Sequence, residues 1–294
     1  MTDSPTITPA GLRYWAQRQV GPIKAVRDVS HPRPGSRVWQ LEIADRPDVF
    51  LKVASAPVAY RRESFAYRHA VPALGAGAAP QLVESNAQHL GLLLTAIPGR
   101  PLAELDVPVA ARREAYRQAG VLLARLHAAG DLRGEHRREA EQALQRAALG
   151  VEKHLAAAGE RVGPAERSLV RRLAGELLRL GLVPLGFLHG DAWDRNLLWS
   201  HRAAWVDFER SRFGAVVQDF VPLYCGAWAD DPGARAACLR GYGRELSVAE
   251  EHALLCLSAL DAVSCLAWAP DHGDLQVADR GRRTLDRLMT GVGA

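Results

Sequence analysis

The chain has 294 residues, 48% of them hydrophobic and 24% charged, which suits one large unit or two lobes better than several small domains. Its formal net charge of +4 does not indicate a nucleic-acid binder, because the arginines are interspersed with glutamate along predicted helices. Residues 207–294 even hold 13 acidic against 9 basic residues, so we expect no nucleic-acid partner.

Membrane insertion and secretion are not predicted either. The most apolar long stretch, 252–268, carries Asp261 in its middle, and the N-terminal MTDSPTITPA lacks the basic start and apolar run of a secretory signal. The cysteines form no Cys-x-x-Cys pair and show no histidine spacing typical of a zinc site; they are Cys225, Cys238, Cys256 and Cys265. We therefore expect a reduced, cytoplasmic protein without a membrane partner. The sequence does not predict the oligomeric state.

The first hundred residues are predicted to be rich in strands, because apolar residues alternate or run together between turn clusters. The predicted strands span residues 23–29, 36–43, 49–53 and 90–95. The turn clusters occupy residues 31–35 and 44–48, and helices are predicted over 9–19 and 60–70. We expect residues 96–102, AIPGRPL, to break the last of these strands.

Beyond residue 109 the apolar period becomes helical. Helices are predicted over residues 109–129, 135–158, 164–180, 213–224, 247–268 and 275–289. The fifth begins at Ser247 with a capping box completed by Glu250. His127, near the end of the first, is interpreted as a packed histidine and not as a ligand. Short strands over 185–188, 197–199 and 203–208 interrupt the helices, so this part is predicted to be mainly helical.

One segment, which includes these short strands and the turns that join them, holds the candidate catalytic residues. Residues 187–210, FLHGDAWDRNLLWSHRAAWVDFER, place a His-Gly-Asp turn, an asparagine five residues later and an Asp-Phe-Glu triplet where strands end. Phosphoryl transfer requires an aspartate that orients the attacking hydroxyl and accepts its proton, together with oxygen ligands for metal ions. Asp191 suits the first role, and Asn196 and Asp207 suit the second. The alternative is a β-hairpin whose acidic residues cap turns.

The segment resembles the catalytic and metal-binding loops of the aminoglycoside phosphotransferase and choline kinase family, relatives of the protein kinases. The resemblance implies an α+β, protein-kinase-like fold of two lobes: a β-rich nucleotide-binding lobe over residues 1–96, and a mainly helical catalytic and substrate-binding lobe over residues 97–294. It further implies ATP (or GTP) and Mg²⁺ as cofactors and a small-molecule hydroxyl as phosphoryl acceptor.

The resemblance also implies roles for residues outside that segment. Lys52 would reach the ATP phosphates with Glu63 as its partner. The alternatives are a lysine on the exposed face of an edge strand, and an exposed helix acid that pairs with Tyr67 or a neighbouring arginine. The backbone from Thr95 to Ile97 would bind adenine, or form an ordinary interdomain loop. His189 and Asp219 would brace the His-Gly-Asp turn, although Asp219 could instead face solvent.

The predicted phosphate-binding turn, 31–36, departs from the glycine-rich loop of protein kinases because it has a single glycine. Backbone N–H groups of Ser36 or Arg37 would have to hold the phosphates. Antibiotic kinases are similarly poor in glycine at this turn, which favours them over protein kinases.

The acceptor is predicted to be an antibiotic: an aminoglycoside, another amine-bearing antibiotic or a nucleoside antibiotic, with an amine-bearing substrate preferred. Trp193 and Asp194 are candidate acceptor contacts, and the other acidic residues expected to attract an amine are Asp230, Asp231, Asp271 and Asp274. These acids could instead pair with arginines of residues 280–287, and Trp193 or Trp228 could stack a flat ring. A metabolite kinase for choline, a sugar or an amino alcohol would share every catalytic residue. A non-catalytic binding module is disfavoured because the lysine, the aspartates and the asparagine are all present.

Overall fold

The computed structural model describes residues 10–30 and 37–292. The predicted turn over 31–35 and the proposed phosphate contact at Ser36 lie outside these residues. In the N-terminal part the helices are α1 (Ala10–Val20) and α2 (Pro57–His69). The strands there are β1 (Ile23–Asp28), β2 (Arg37–Ile43), β3 (Val49–Val53), β4 (Leu82–Asn86) and β5 (Gly91–Thr95).

Within the described residues, these strands form one antiparallel sheet in the order β1-β2-β3-β5-β4. Alternate residues of β2 and β3, including Trp39, Leu41 and Leu51, are buried in a cluster with Leu12 and Ala16 of α1. Because side chains alternate between the faces of a strand, Lys52 lies on the opposite face from Leu51. The buried face therefore fixes the register that directs Lys52 away from α1.

Strand β4 was not predicted, because its LVESN sequence shows no alternation of apolar and polar residues. It forms through antiparallel pairing with β5, which is buried along most of its length. The four strands predicted for the N-terminal part are all present, and so are its two helices.

The remainder of the described chain is mainly helical. Its helices are α3 (Val109–His127), α4 (Gly134–Glu141), α5 (Ala143–Leu149), α6 (Val151–Ala158), α7 (Pro164–Leu178), α8 (Val221–Cys225), α9 (Ala227–Asp230), α10 (Pro232–Tyr242), α11 (Val248–His272) and α12 (Leu275–Val292). Its short strands are β6 (Arg100–Pro101), β7 (Leu185–Leu188), β8 (Leu197–Trp199), β9 (Ala203–Trp205) and β10 (Arg212–Ala215). Among the described residues, β6, β8 and β9 form one sheet and β7 pairs with β10 in another.

The prediction of a helix over residues 213–224 is wrong. Residues Arg212–Ala215 form strand β10, residues Val216–Phe220 form a 3₁₀ turn, and only then does α8 begin. Strand β10 pairs antiparallel with β7, so that Phe213 lies opposite Phe187. Pairing with this distant strand outweighs the helical preference of the segment, which is already weak because glycine, here Gly214, disfavours a helix.

Two other boundaries also differ from the sequence analysis. The helix predicted over 135–158 is divided at Gln142 and Gly150 into α4, α5 and α6. The strand predicted over 203–208 ends at Trp205, because Asp207 adopts a left-handed backbone conformation with φ 68°. Helix α10 was not predicted.

Helix α11 begins at the predicted capping box: Ser247 Oγ accepts from the Glu250 N–H, and a Glu250 carboxylate oxygen accepts from the Ser247 N–H at 2.9 Å. By length and composition α11 could cross a membrane, but 67% of its most apolar window is buried within the protein. Asp261, on this helix, pairs with Arg280 of α12 at 3.0 Å. These contacts are those of a core helix.

Candidate active site

Three segments that are distant in the sequence meet at Lys52. Its ammonium group lies 2.9 Å from Glu63 Oε1 of α2 and 2.6 Å from Asp207 Oδ1, which follows β9. Glu209 Oε2 lies 3.7 Å away. The structure therefore brings together Lys52, Glu63 and Asp207, and it adds a third carboxylate that the sequence analysis had not singled out.

These side chains form a site with an excess of negative charge. Glu63 is completely buried, and burial raises its pKa to about 7 although the Lys52 ammonium opposes the shift. Burial would lower the pKa of Lys52, but the Asp207 and Glu63 carboxylates hold it well above its usual value. The charged form of Lys52 is therefore favoured, and three carboxylates face this one ammonium group.

The excess charge fits a metal ion. Oxygen atoms of Glu63, Asp207 and Glu209 lie within 4.8 Å of one another, and Glu63 Oε2 is buried without a hydrogen-bond partner among the described residues. Carboxylate oxygens are the ligands that Mg²⁺ prefers. Lys52 lowers the pKa of Asp207 against the opposing effect of burial, so Asp207 is ionised.

The His-Gly-Asp turn depends on a glycine. Gly190 has φ 81°, and a Cβ at this position would lie 2.2 Å from the Arg210 carbonyl oxygen. His189 is fully buried, and its Nε2–H donates to the Val206 carbonyl at 3.0 Å while Nδ1 accepts from the Asp191 N–H at 3.3 Å. These two bonds assign the neutral tautomer, in agreement with burial that lowers the pKa of His189.

Asp219 braces this turn. Its carboxylate oxygens accept from the backbone N–H of His189 at 2.7 Å and of Gly190 at 2.8 Å. His127 Nε2 lies 3.1 Å from the same carboxylate, and its Nδ1 lies 2.8 Å from the Tyr242 hydroxyl. Burial alone would raise the pKa of Asp219, but these hydrogen bonds keep it below its usual value. The solvent-facing alternative is therefore excluded.

Asp191 lies partly exposed at the end of the turn. The Asn196 side-chain amide donates to the Asp191 carbonyl at 2.9 Å and to Asp191 Oδ2 at 3.1 Å. This arrangement leaves Asp191 Oδ1 and the Asn196 amide oxygen as acceptors. The Val206 N–H donates to the Asn196 carbonyl at 3.0 Å, which holds Asn196 beside the segment that carries Asp207.

Of the backbone N–H groups at the predicted adenine contact, one is already hydrogen-bonded within the protein. Thr95 ends β5, and its N–H donates to the Gln81 carbonyl at 2.9 Å. The Ile97 N–H has no backbone acceptor in the described part of the chain. After this stretch, β6 pairs with β8, the strand that follows the His-Gly-Asp turn. Of the two N–H groups, that of Ile97 is the one available to a nucleotide base.

Trp193 has two arginines close to its ring. The guanidinium carbons of Arg195 and Arg280 lie 4.4 Å and 4.8 Å from its ring centroid. Burial raises the pKa of the neighbouring Asp194, against the influence of Arg112, Arg195 and Arg280. Trp193 is itself mostly buried, so little of its ring is open for stacking with a ligand.

Several of the acids expected to attract an amine are paired with arginine. Asp274 accepts two hydrogen bonds from Arg195 at 2.7 Å and 2.8 Å. The other pairs are Asp231 with Arg113 at 2.8 Å and Asp230 with Arg283 at 3.2 Å. The alternative weighed for these acids, pairing with arginines of residues 280–287, holds for Asp230, which pairs with Arg283. Asp231 and Asp274 pair with arginines elsewhere in the chain.

Neither Glu209 nor the contacts by which His127 and Tyr242 support Asp219 were predicted from the sequence. Glu209 could have been noticed as the last residue of the Asp-Phe-Glu triplet. His127 was correctly interpreted as packed, but its partner Asp219 lies 92 residues away and no local pattern reports that contact.

A family model described as "Phosphotransferase enzyme family" matches residues 35–254. Comparison with curated proteins gives no significant match. Among solved structures, a thermostable mutant of aminoglycoside phosphotransferase APH(4)-Ia is similar with a TM-score of 0.70 and 14% identity, over 96% of this chain and 99% of that one.

Two further solved structures extend the comparison. The streptomycin–ATP–APH(2")-IIa ternary complex gives a TM-score of 0.66 with 15% identity, over 94% of this chain and 95% of that one. A choline/ethanolamine kinase family protein from Mesorhizobium loti gives 0.62 with 19% identity, over 95% and 92%. These similarities confirm the predicted protein-kinase-like fold.

Proposed function

The chain belongs to the phosphotransferase enzyme family, and from that membership we propose that it transfers the γ-phosphoryl group of ATP to a hydroxyl of a small molecule. The observation that carries the proposal is the meeting of Lys52, Glu63 and Asp207 in a chain whose Asp191 turn is braced by Asp219. Phosphoryl transfer depends on such positioning and charge more than on covalent chemistry.

Asp191 is the proposed catalytic base. The acceptor oxygen attacks the γ-phosphorus, the bond from that phosphorus to the β,γ-bridging oxygen breaks, and ADP leaves. The hydroxyl proton passes to Asp191, whose Oδ1 is free because Asn196 donates to Oδ2. Asp219 keeps the turn in place by holding two of its N–H groups.

Lys52 is the proposed phosphate contact, oriented by Glu63, and Ile97 with Thr95 is the proposed adenine contact. Asp207 and Asn196 are the proposed ligands of Mg²⁺, and Glu209 is close enough to assist. Mg²⁺, when bound, would offset the negative charge of the phosphates during transfer. The Lys52 ammonium, which now donates to Asp207, would then also donate to the nucleotide phosphates.

An antibiotic is the proposed acceptor, supported by the similar aminoglycoside phosphotransferases, one of them in complex with streptomycin and ATP. Inactivation of the antibiotic would then confer resistance. The pairing of Asp230, Asp231 and Asp274 with arginines gives no support to a strongly cationic acceptor. A metabolite kinase is the second candidate, since a choline/ethanolamine kinase family protein is similar over nearly the whole chain.

The buried free thiols suit the cytoplasm as the proposed location.

The proposal is tested by measuring ATP consumption against a panel of antibiotics and metabolites, with mass spectrometry of each product. We expect one class of acceptor to gain a single phosphoryl group. Asp191→Ala should lower turnover by about 100-fold or more, the usual contribution of a positioned base, while ATP binding is retained. Asp106→Ala, at an exposed carboxylate, is the control. A loss within about tenfold would contradict the role of Asp191.

A further inference from the structure

A second group of metal-binding side chains lies where α7 and α11 pack together. It comprises Glu176 of α7 with His252 and Cys256 of α11, whose ligand atoms all lie within 4.8 Å of one another. The two residues of α11 are four positions apart and so share one face of the helix. None of the three takes part in the candidate active site, so the group calls for a separate explanation.

The separations resemble the edges of a zinc coordination sphere. His252 Nε2 lies 3.3 Å from Glu176 Oε2, and Cys256 Sγ lies 3.7 Å from His252 Nε2. With the usual zinc bond lengths and a tetrahedral angle, a nitrogen–oxygen edge is about 3.3 Å and a sulfur–nitrogen edge is about 3.6 Å. A zinc ion could therefore be bound with little movement of these two contacts.

The surroundings also suit a metal site. Arg172 donates to Glu176 Oε1 at 2.8 Å, which fixes the carboxylate and leaves Oε2 directed towards His252. Ligating carboxylates are commonly held by such outer hydrogen bonds. The side chain of His252 is 42% exposed, so solvent can reach the site and supply a fourth ligand.

We propose that Glu176, His252 and Cys256 bind Zn²⁺ with water as the fourth ligand. A set of one thiolate, one imidazole and one carboxylate favours zinc over Mg²⁺ or Ca²⁺, which prefer oxygen ligands. Binding releases the thiol proton of Cys256, so the affinity rises with pH. The ion joins α7 to α11, and none of its three protein ligands belongs to the candidate active site.

The test uses the full chain, freed of metal by a chelator and then titrated with Zn²⁺ alone. We expect one zinc per chain after gel filtration and an increase in the thermal midpoint. Replacing Zn²⁺ by Co²⁺ should produce the near-ultraviolet absorption of a cobalt–thiolate bond, which reports directly on a cysteine ligand.

Variants identify the ligands. Cys256→Ser and His252→Gln should each abolish the stoichiometric zinc, and the half-exposed His252 keeps the test valid if the buried Cys256 variant fails to fold. Arg172→Ala should weaken affinity by about 10- to 100-fold, the usual effect of losing an outer hydrogen bond. Arg171→Ala, which removes the neighbouring pair with Glu152, and Cys238→Ser, at a buried thiol on α10, are matched controls.

The proposal is overturned if the wild type holds less than one zinc per chain, or if His252→Gln binds zinc as tightly as the wild type. Loss of binding in Arg171→Ala or Cys238→Ser to the same extent would equally overturn it, because neither side chain belongs to the site. None of these measurements depends on the phosphotransferase activity.

Discussion

Asp207 combines an unusual backbone with a direct contact to Lys52. Its φ of 68° is left-handed, a conformation that aspartate and asparagine tolerate better than most residues. The turn places its carboxylate beside Glu63 and Glu209. Because an asparagine would keep the backbone conformation, this position allows the charge to be removed with little change in fold.

We expect Asp207→Asn to lower the affinity for ATP in the presence of Mg²⁺ much more than in its absence, because the variant loses an anionic oxygen ligand. Calorimetric titration of ATP with and without Mg²⁺ measures the difference. Asp45→Asn is a matched control, since Asp45 also has a left-handed conformation, at φ 57°. If Asp207→Asn left the magnesium dependence unchanged, the metal would lie elsewhere.

His189 makes the stability of the protein sensitive to acid. Burial lowers the pKa of His189 in the folded state, whereas in the unfolded chain it titrates near its ordinary value of about 6.5. The unfolded state therefore binds the proton first, and folding loses stability as pH falls below about 6.5.

We expect the free energy of unfolding, measured with urea between pH 7 and pH 5, to fall less steeply in His189→Gln than in the wild type. The same substitution at the exposed His89 is the control. Identical slopes for His189→Gln and the wild type would show that His189 does not contribute to the acid sensitivity.

At the scale of elements, α3 and α10 pack closely because glycines lie between them. A Cβ at Gly120 would lie 2.0 Å from the Cys238 carbonyl oxygen, and one at Gly241 would lie 1.8 Å from the Arg117 carbonyl oxygen. The contact matters for the site because α3 carries His127 and α10 carries Tyr242, both in the chain of contacts that supports Asp219.

Gly120→Ala should therefore lower the thermal midpoint, since overpacking of this kind typically costs about 1 to 3 kcal/mol. Gly175→Ala is the matched control: Gly175 also lies inside a helix, but its Cβ would meet only the flexible end of Arg179 at 3.6 Å. In the control, alanine should stabilise the helix by up to about 1 kcal/mol. Equal effects at the two positions would show that α3 and α10 are not closely packed.

At the scale of the whole molecule, charge is balanced by pairs that join distant segments. Residues 207–294 hold an excess of acidic residues, but Asp230, Asp231 and Asp274 each pair with an arginine. Arg113 comes from α3, and Arg195 follows the His-Gly-Asp turn. Much of the negative charge of residues 207–294 is therefore paired with arginine, and these paired carboxylates do not create a strong electrostatic field for cations.

We accordingly expect the KM of the best acceptor to change little between low and high salt. Electrostatic capture would weaken as the Debye length falls from about 10 Å at 0.1 M to about 3 Å at 1 M. The measurement is KM for the acceptor across this range at saturating ATP. A KM that rises steeply with salt would indicate an unpaired acidic surface and a cationic acceptor.

The sequence by itself determined the local chemistry and the alternation of elements. The spacing from His189 to Asn196 and the Asp-Phe-Glu triplet indicated phosphoryl transfer, because those side chains act within one short segment. The strands of the N-terminal sheet and the capping box of α11 were also predictable, since apolar period and cap residues report nearest neighbours along the chain.

Only the tertiary structure decided which distant groups meet. Strand β10 replaced a predicted helix because it pairs with β7, and Glu209 joined the site because the turn at Asp207 directs it towards Lys52. The proposed zinc site was not predicted either, because Glu176 lies on a different helix from His252 and Cys256. Contacts between residues far apart in the chain depend on how elements pack, and no local period encodes that packing.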